Sequence, residues 1–391
     1  MTEGRPVEPR HRARLRVGVI GCGLIAQVMH LPYLRELHEE FEVVALCDVS
    51  PDALRFAGDR FFPDARRHAD WSDAIADDLD AVLVLTAGSH APIAAAAAAA
   101  GRHALVEKPV ALGVAEGLEA VAAAEAAGVC HMAAYMKRYD AAYEAFVPEV
   151  AALEDLRLVR VTTLEAPMDP YVGVYPRQAA TGVDPDRLAA LLEEDDRRVR
   201  AAIGAHADDP TLRRGYREIL LDCLVHEFNA LRGLLGEPDE LAFAAVADGA
   251  RGITAVLRFG ATECVLMWAE LPELGRYQQE LAFVSPAARA TLDFPSPFLR
   301  NAATRIVTER GEPGSADAYR AERIVSFDEA FRRELLEFHA AATTGRPPRT
   351  PLVDGVHDLA LARSVIESAA TGRPVPAPSA LPAAAQAGGP A

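Results

Sequence analysis

Residues 15–26 read LRVGVIGCGLIA, an apolar strand pattern that runs directly into two glycines and the start of a helix. This is the G-x-G-x-x-A form of the dinucleotide-binding fingerprint at the first turn of a Rossmann fold. Gly21 permits the tight turn, Gly23 lets the backbone approach a pyrophosphate, and Ala26 lets the helix pack closely on the strand. The next free N–H groups point at the phosphates. We therefore predict cofactor contacts from Gly21, Gly23, Leu24 and Ile25.

Apolar strands alternate with helical patterns as far as about residue 136. The strand patterns lie at 15–20, 43–47, 81–85, 104–106 and 130–136. Such alternation predicts a parallel sheet that is covered by helices on both faces. We predict an α/β Rossmann domain with a doubly wound parallel sheet over residues 14–145, preceded by a flexible N-terminal arm at 1–13.

The pattern changes after about residue 150. Alternating strand patterns lie at 156–165, 241–247, 253–259, 262–269, 278–284 and 288–293, and helical patterns at 328–342 and 353–370. A run of strands after an α/β unit predicts a separate α+β domain. We expect a large open, mostly antiparallel sheet over residues 146–372, with closing helices that are able to pack back on the first domain. The Pro- and Ala-rich tail at 373–391 is predicted to be disordered.

Composition narrows the possible partners. The 391 residues carry a net charge of −17, which argues against a nucleic-acid or membrane surface. Five scattered cysteines form no C-x-x-C pair, so we predict free thiols, no metal site and a reducing, cytoplasmic location. No apolar run is long enough to span a membrane.

Asp48 ends the second strand pattern, where a carboxylate is expected to accept hydrogen bonds from the adenosine ribose. Its charge would repel a 2′-phosphate, and Val49 and Ser50 supply no cation. We therefore predict NAD as the cofactor, with NADP less favoured. The alternative is an ordinary strand–helix turn with a surface aspartate.

Two further signals carry reactive side chains. The sequence Glu107-Lys108-Pro109 ends a strand, and ligands of open α/β sheets bind beyond the carboxyl ends of strands. Asp222 and His226 have i,i+4 spacing on a helical pattern, so both side chains can reach one site. Taken alone, a Lys-Pro pair is more often a surface loop, and a lone histidine more often a core or capping residue.

The order of these segments resembles the glucose–fructose oxidoreductase / inositol dehydrogenase family, also called Gfo/Idh/MocA. The similar stretches are GCGLIAQVMHLPYL, TAGSHAPIAAAAAAAGRHALVEKP, MKRYDAAY, LLDCLVHEFNALRGLLGEP, FHAAATTGRPP and DLALARSVIESAATGRPV. The resemblance implies a Rossmann domain followed by an open-sheet domain. It also implies that Lys108, Asp222 and His226 surround the nicotinamide, and that Thr86, His90 and Glu107 lie at the cofactor.

The chain departs from the family pattern at three places. Residues 218–221 are not glycine-rich, Asn229 stands where an aspartate is common, and Ala87 replaces a proline. None of these departures removes a reacting group, but they leave the substrate pocket undetermined.

The predicted reaction is reversible oxidation of a secondary alcohol on a sugar, cyclitol or related polyol. His226 is the expected general base, because imidazole titrates near neutral pH. Lys108 would stabilise charge on the reacting oxygen, and Asp222 would orient the substrate or the histidine and offset the lysine charge. We expect the pocket to lie between the domains and the open sheet face to bind a partner subunit in a homo-oligomer.

The segment at 167–216 is longer than an ordinary connection, so it is expected to have a function or to be disordered. We predict that it edges the pocket, with Tyr171, Tyr175 and Arg177 toward the substrate.

Two other functions remain open at this point. One is NAD-assisted glycoside cleavage through transient oxidation, which would release no net NADH. The other is a non-catalytic NAD-binding sensor, although the presence of Lys108, Asp222 and His226 weighs against it.

Overall fold

The computed structural model describes residues 14–312 and 314–377. The predicted arm at 1–13 and most of the predicted tail, 378–391, lie outside these residues. The first part of the chain forms a sheet of six parallel strands, as predicted. They are β1 (Leu15–Ile20), β2 (Phe41–Cys47), β3 (Arg66–His68), β4 (Ala81–Val84), β5 (His103–Glu107) and β6 (His131–Ala134). The order is β3-β2-β1-β4-β5-β6, in which the strand order reverses between β1 and β4. A ligand crevice is expected at that reversal.

Helices connect these strands. They are α1 (Leu31–Glu36), α2 (Pro51–Phe61), α3 (Trp71–Ile75), α4 (Ala91–Ala99) and α5 (Val114–Ala127). A wide π-type turn at Ala26–His30 precedes α1. Helix α2 begins as its sequence indicates, because the Ser50 hydroxyl accepts the Ala53 N–H at 3.2 Å and proline follows the cap. The alanine-rich α4 buries Ala94 and Ala97 completely, which brings its backbone close to the sheet.

The second sheet has nine strands. They are β7 (Leu158–Glu165), β8 (Glu240–Val246), β9 (Gly252–Phe259), β10 (Thr262–Glu270), β11 (Gln278–Val284), β12 (Ala288–Phe294), β13 (Arg305–Gly311), β14 (Ala318–Ile324) and β15 (Val375–Pro376). The order is β14-β13-β12-β11-β7-β10-β9-β8-β15. Only the β7–β10 pair among these is parallel, so the predicted mostly antiparallel sheet is confirmed.

The remaining helices pack around this sheet and against the first domain. They are α6 (Ala141–Ala151), α7 (Asp169–Val172), α8 (Pro185–Ile203), α9 (Pro210–Arg214), α10 (Val225–Leu235), α11 (Ala330–Thr344) and α12 (Leu352–Thr371). A π-type helical segment, Gly215–Leu224, leads directly into α10. The predicted domain boundary after residue 145 falls inside α6, because that helix belongs to the cores of both sheets.

The chain returns to the Rossmann domain at its end. Phe331, Leu335 and Phe338 of α11 share one core with residues of β1 and α1. The Thr350 hydroxyl donates to the Ala133 carbonyl at 2.7 Å, at the edge of β6. The first domain is therefore built from both ends of the described chain. The ordered chain also extends beyond Gly372, the predicted end, because β15 pairs with β8.

Two sequence expectations concern solubility and thiols. No helix within the described part of the chain is long and apolar enough to cross a membrane. All five cysteines are free, as the lack of paired spacing predicted.

Candidate functional site

The glycine loop after β1 has the geometry that the fingerprint requires. Gly21 has φ of +104°, and a side chain there would lie 2.5 Å from the carbonyl carbon of Leu85. Glycine is therefore needed both for the backbone conformation and for the close approach of β4. No described atom lies within 4 Å of the corresponding position at Gly23, which leaves space for a phosphate.

Asp48 fastens this loop to the end of β2. One carboxylate oxygen accepts the Cys22 N–H at 2.7 Å, and the other accepts the Ser50 N–H at 2.7 Å. Each oxygen retains acceptor capacity for a further donor. The carboxylate is thus oriented beside the loop, in the position expected for a ribose acceptor.

Thr86 and His90 follow β4 but differ in role. The Thr86 hydroxyl is buried and has no hydrogen-bond partner in the described chain, as expected of a group that a bound ligand or water satisfies. The His90 ring nitrogens lie 2.7 Å from the Pro109 carbonyl and 2.6 Å from the Thr86 carbonyl. The prediction that His90 contacts the cofactor is therefore corrected. Its ring joins the loops after β4 and β5, and so positions Thr86 and Lys108.

Lys108 forms an ion pair across the domain boundary. Its Nζ lies 2.7 Å from Asp222 Oδ1 and donates to the Asp222 carbonyl at 2.6 Å. Burial lowers the pKa of Lys108, but the Asp222 and Glu107 carboxylates outweigh that effect and raise it overall. Glu107 is buried behind the lysine and lies 2.8 Å from His30 Nε2. Lys108 is therefore a cation.

His226 lies one turn beyond Asp222, and both side chains line the same cavity. The i,i+4 spacing therefore brings them together, even though a π-type segment ends between them. Burial, and then the charges of Lys137 and Lys108, hold the pKa of His226 well below its usual range. The imidazole is therefore neutral at neutral pH, which leaves a nitrogen lone pair able to accept a proton.

The cavity holds about 390 Å³ and lies between the two sheets. Its Rossmann wall carries the glycine loop, Thr86, Glu107 and Lys108, and its other wall carries residues of β7, β11 and α10. Further lining residues are Leu24, Ile25, Met136, Lys137, Thr163, Glu165, Met168, Cys223, Glu227, Tyr277, Pro297, Phe298 and Phe331.

Sequence reasoning missed a polar cluster on the second wall. The buried Lys137 ammonium donates to the Gln279 side-chain oxygen, and the Gln279 amide donates to Glu227. Thr163 also donates to Glu227, at 2.6 Å, and the Tyr277 hydroxyl donates to Gln279 at 3.1 Å. Burial lowers the pKa of Lys137, although the nearby carboxylates oppose the effect. Lys137 follows β6 at the edge where Lys108 follows β5, and that position was the available signal.

Glu165 ends β7 and lines the same cavity, but its carboxylate accepts no hydrogen bond from the part of the chain that the structure describes. Burial and repulsion from Glu227 raise the pKa of Glu165 to about 7, against the pull of Lys137. This carboxylate is therefore available to a ligand.

The segment at 167–216 departs from the prediction at three residues. The Tyr171 hydroxyl donates to the Gly275 carbonyl at 3.1 Å, and the Tyr175 hydroxyl donates to the Phe298 carbonyl at 2.8 Å. Arg177 lies 3.5 Å from Asp169 at the surface. The predicted contacts of Tyr171, Tyr175 and Arg177 with the substrate are thus not seen, because backbone carbonyls and a local carboxylate bind these side chains. Met168, earlier in the segment, does line the cavity.

Comparison with known proteins agrees with this architecture. A model of an oxidoreductase family with an NAD-binding Rossmann fold matches residues 15–135, and a model of the same family's C-terminal alpha/beta domain matches residues 293–377. An inositol 2-dehydrogenase from Burkholderia multivorans is 37% identical over 135 residues, 34% of this chain and 40% of that protein. A D-apiose dehydrogenase from Paraburkholderia graminis is 30% identical over 233 residues, 59% of this chain and 52% of that protein. The matches therefore span about half the length of these relatives or less.

A solved structure shares the fold over nearly the full length. The aldose-aldose oxidoreductase from Caulobacter crescentus, complexed with glycerol, has a TM-score of 0.71 at 22% identity and covers 93% of this chain and 99% of its own. The family models match both domains in the order in which the structure presents them. The protein belongs to the Gfo/Idh/MocA oxidoreductase family.

Proposed function

We propose that the protein is an NAD-dependent oxidoreductase that acts on a secondary alcohol of a neutral sugar, cyclitol or related polyol. One observation carries the proposal. A protonated lysine paired with Asp222 and a neutral histidine line a single cavity with the glycine loop of the Rossmann domain. That set provides a base and an electrostatic partner beside a dinucleotide site.

Bound NAD supplies the hydride acceptor. His226 accepts the proton of the substrate hydroxyl, because its imidazole is neutral and lines the cavity. Lys108 stabilises the negative charge that develops on the same oxygen. Asp222 holds the ammonium of Lys108 at 2.7 Å and so fixes where that charge is presented.

The cofactor preference is argued from charge. Asp48 lies beside the glycine loop and would repel a 2′-phosphate. The 167–216 segment brings one cation near this site, Arg187, but its guanidinium donates to the Ala69 carbonyl at 3.0 Å and lies 3.6 Å from Asp70. That cation is already paired, so the balance of charge favours NAD over NADP.

The substrate preference also follows from charge. Lys108 is paired with Asp222, and Lys137 is bound through Gln279 to Glu227, whereas Glu165 has no cationic partner within hydrogen-bond distance. A carboxylate accepts well from hydroxyl groups and repels an acidic substrate. Inositol, apiose and aldoses, named for the relatives and the solved structure, are neutral polyhydroxylated compounds.

A panel of neutral polyols, sugars, sugar acids and aryl glycosides tests the proposal, with NAD and NADP each supplied and NADH followed by absorbance. We expect NADH formation with at least one neutral member and faster reaction with NAD. Cleavage of a glycoside without net NADH would favour transient oxidation instead. Cofactor binding without turnover of any member would favour a sensor.

We also propose that the protein is a cytoplasmic homo-oligomer joined through the open face of the nine-stranded sheet. Cross-strand pairs such as Arg160–Glu280, Arg258–Glu240 and Arg305–Asp293 line that face, and Phe243 and Met267 are partly exposed. Light scattering on the wild type and on Met267→Lys tests this, because a buried lysine would weaken the assembly.

A further inference from the structure

Part of the long segment between β7 and α10 crosses the cofactor edge of the Rossmann domain. We call residues 178–198 the strap; it includes most of α8. Its first contact is with Gln27, which is only 2% exposed. The Gln178 N–H donates to the Gln27 side-chain oxygen at 2.8 Å, and the Gln27 amide donates to the Gln178 carbonyl at 3.0 Å. The same amide donates to the Cys22 carbonyl at 2.7 Å, so the strap is bound to the fingerprint loop itself.

The strap next passes the end of β2. The Ser50 hydroxyl donates to the Thr181 carbonyl at 2.6 Å, and the Thr181 hydroxyl donates to Asp52 at 2.6 Å. Ser50 also donates its N–H to Asp48. The strap therefore runs beside the carboxylate that is expected to hold the adenosine ribose.

Helix α8 then crosses from the end of β3 to the end of β4. Arg187 binds the Ala69 carbonyl just after β3. Eight residues later, Asp195 packs on Gly88, where a side chain would meet its carboxylate at 2.6 Å. Asp195 is held there by Arg217 at 3.0 Å. The strap thus bridges the carboxyl ends of four strands.

The side of α8 that faces the Rossmann domain is only half covered. Asp195 and the buried Val199 mark that side. Leu188, Leu191 and Leu192 lie seven, four and seven residues before Asp195, Asp195 and Val199 respectively, so helical periodicity places them on the same side. They are nevertheless 44%, 47% and 51% exposed. Apolar side chains on an inward face are left uncovered when a space lies beneath them.

We propose that Leu188, Leu191 and Leu192 form the outer wall of the adenine site, so that the strap encloses the adenosine half of the dinucleotide. A ribose bound to Asp48 at the end of β2 carries a base that must extend over the crevice, and α8 crosses that crevice. An adenine ring has flat apolar faces and would cover the leucines. The inference rests on the proposed cofactor.

Calorimetric titration of ADP-ribose and of NAD tests the wall without any turnover. The variant carries Leu188→Ala, Leu191→Ala and Leu192→Ala, and the matched control is Leu158→Ala, a leucine of β7 that is 39% exposed. We expect the triple variant to bind both ligands about tenfold more weakly, because apolar burial is lost, while the control binds as the wild type does. The leucines are half exposed, so thermal melts of all three proteins should agree.

Hydrogen exchange supplies a second measurement on the unchanged chain. ADP-ribose should slow amide exchange of the exposed turns of α8 in the wild type. Unchanged affinity in the triple variant, together with unchanged exchange in α8, would overturn the adenine wall while leaving the proposed reaction in place. A wild-type protein that binds neither ligand but is folded would overturn the cofactor assignment as well.

Discussion

Lys108 and Lys137 stand at equivalent places, each just beyond a neighbouring parallel strand, and both line one cavity. Their environments differ. Lys108 contacts the carboxylate of Asp222 directly at 2.7 Å, and its pKa is raised overall. Lys137 reaches Glu227 only through the neutral amide of Gln279, and its pKa is lowered. Position at the sheet edge brings a lysine to the site, but the opposite domain decides whether its charge is compensated.

The comparison also explains the state of His226, which lies close enough to both lysines for their charges to disfavour a second proton. The imidazole is kept neutral by burial first, then by Lys137 and then by Lys108. Substitutions at these three positions should therefore separate proton transfer, charge stabilisation and tuning of the base.

The largest effect is expected for His226→Ala. Loss of a positioned proton acceptor should lower kcat by about 10²–10⁴ while the dissociation constant for NAD stays near the wild-type value. Steady-state kinetics and calorimetry on the same preparation measure both. A purely structural histidine would give the reverse pattern, with a lower melting temperature and near-normal kcat.

Lys108→Met should come next. Removing the ammonium takes away charge stabilisation at the reacting oxygen, which typically costs about 10²–10³ in kcat. Lys108→Arg is the control, because it keeps the charge but changes the donor geometry, and it should recover part of the rate. Equal activity of Lys108→Met and the wild type at saturating substrate would contradict the role given to this lysine.

Lys137→Met should act mainly on pH dependence, with a loss in kcat/KM of about tenfold from the missing charged hydrogen bond. Removing a nearby positive charge favours protonation of His226, so the pKa of that imidazole should rise. The acidic limb of the kcat/KM profile should then move to higher pH. Lys137→Arg should leave the limb in place. A limb that moves further in Lys108→Met than in Lys137→Met would reverse the ranking of the two lysines.

Glu165→Gln should have the smallest effect on rate and a clear effect on stability. Burial raises the pKa of Glu165 to about 7 from an unfolded value near 4.5, so its contribution to stability is present in acid and is lost as pH rises through about 7. Glutamine cannot ionise. The variant should therefore gain melting temperature relative to the wild type at pH 8 but not at pH 4. Equal shifts at both pH values would show that ionisation is not involved.

The sequence allowed the fold to be predicted where apolar periodicity is strong. It missed β3, β13 and β14, which are short or exposed and carry no buried alternation; β14 is exposed along its whole length. It also extended the first helix over the π-type turn at Ala26–His30, because periodicity alone does not separate the two helical forms.

Within the site, local motifs identified the glycine loop, Lys108, Asp222 and His226. The sequence did not reveal Gln279 and Glu165, which come from strands of the second domain and meet Lys137 only after folding. Tyr171 and Tyr175 were misassigned because an aromatic residue in a loop shows no preference for a ligand over a backbone carbonyl until the tertiary contacts exist. His90 was misassigned for the same reason.

The proposed hydride transfer is tested most directly by following the transferred atom. A neutral polyol that supports NADH formation is prepared with deuterium at the carbinol carbon, and the reduced nucleotide from a single turnover is analysed by mass spectrometry. Direct transfer predicts one deuterium in the reduced nucleotide and a slower single-turnover rate than with the unlabelled polyol. Reduced nucleotide without deuterium, or an altered substrate without any reduced nucleotide, would contradict the account.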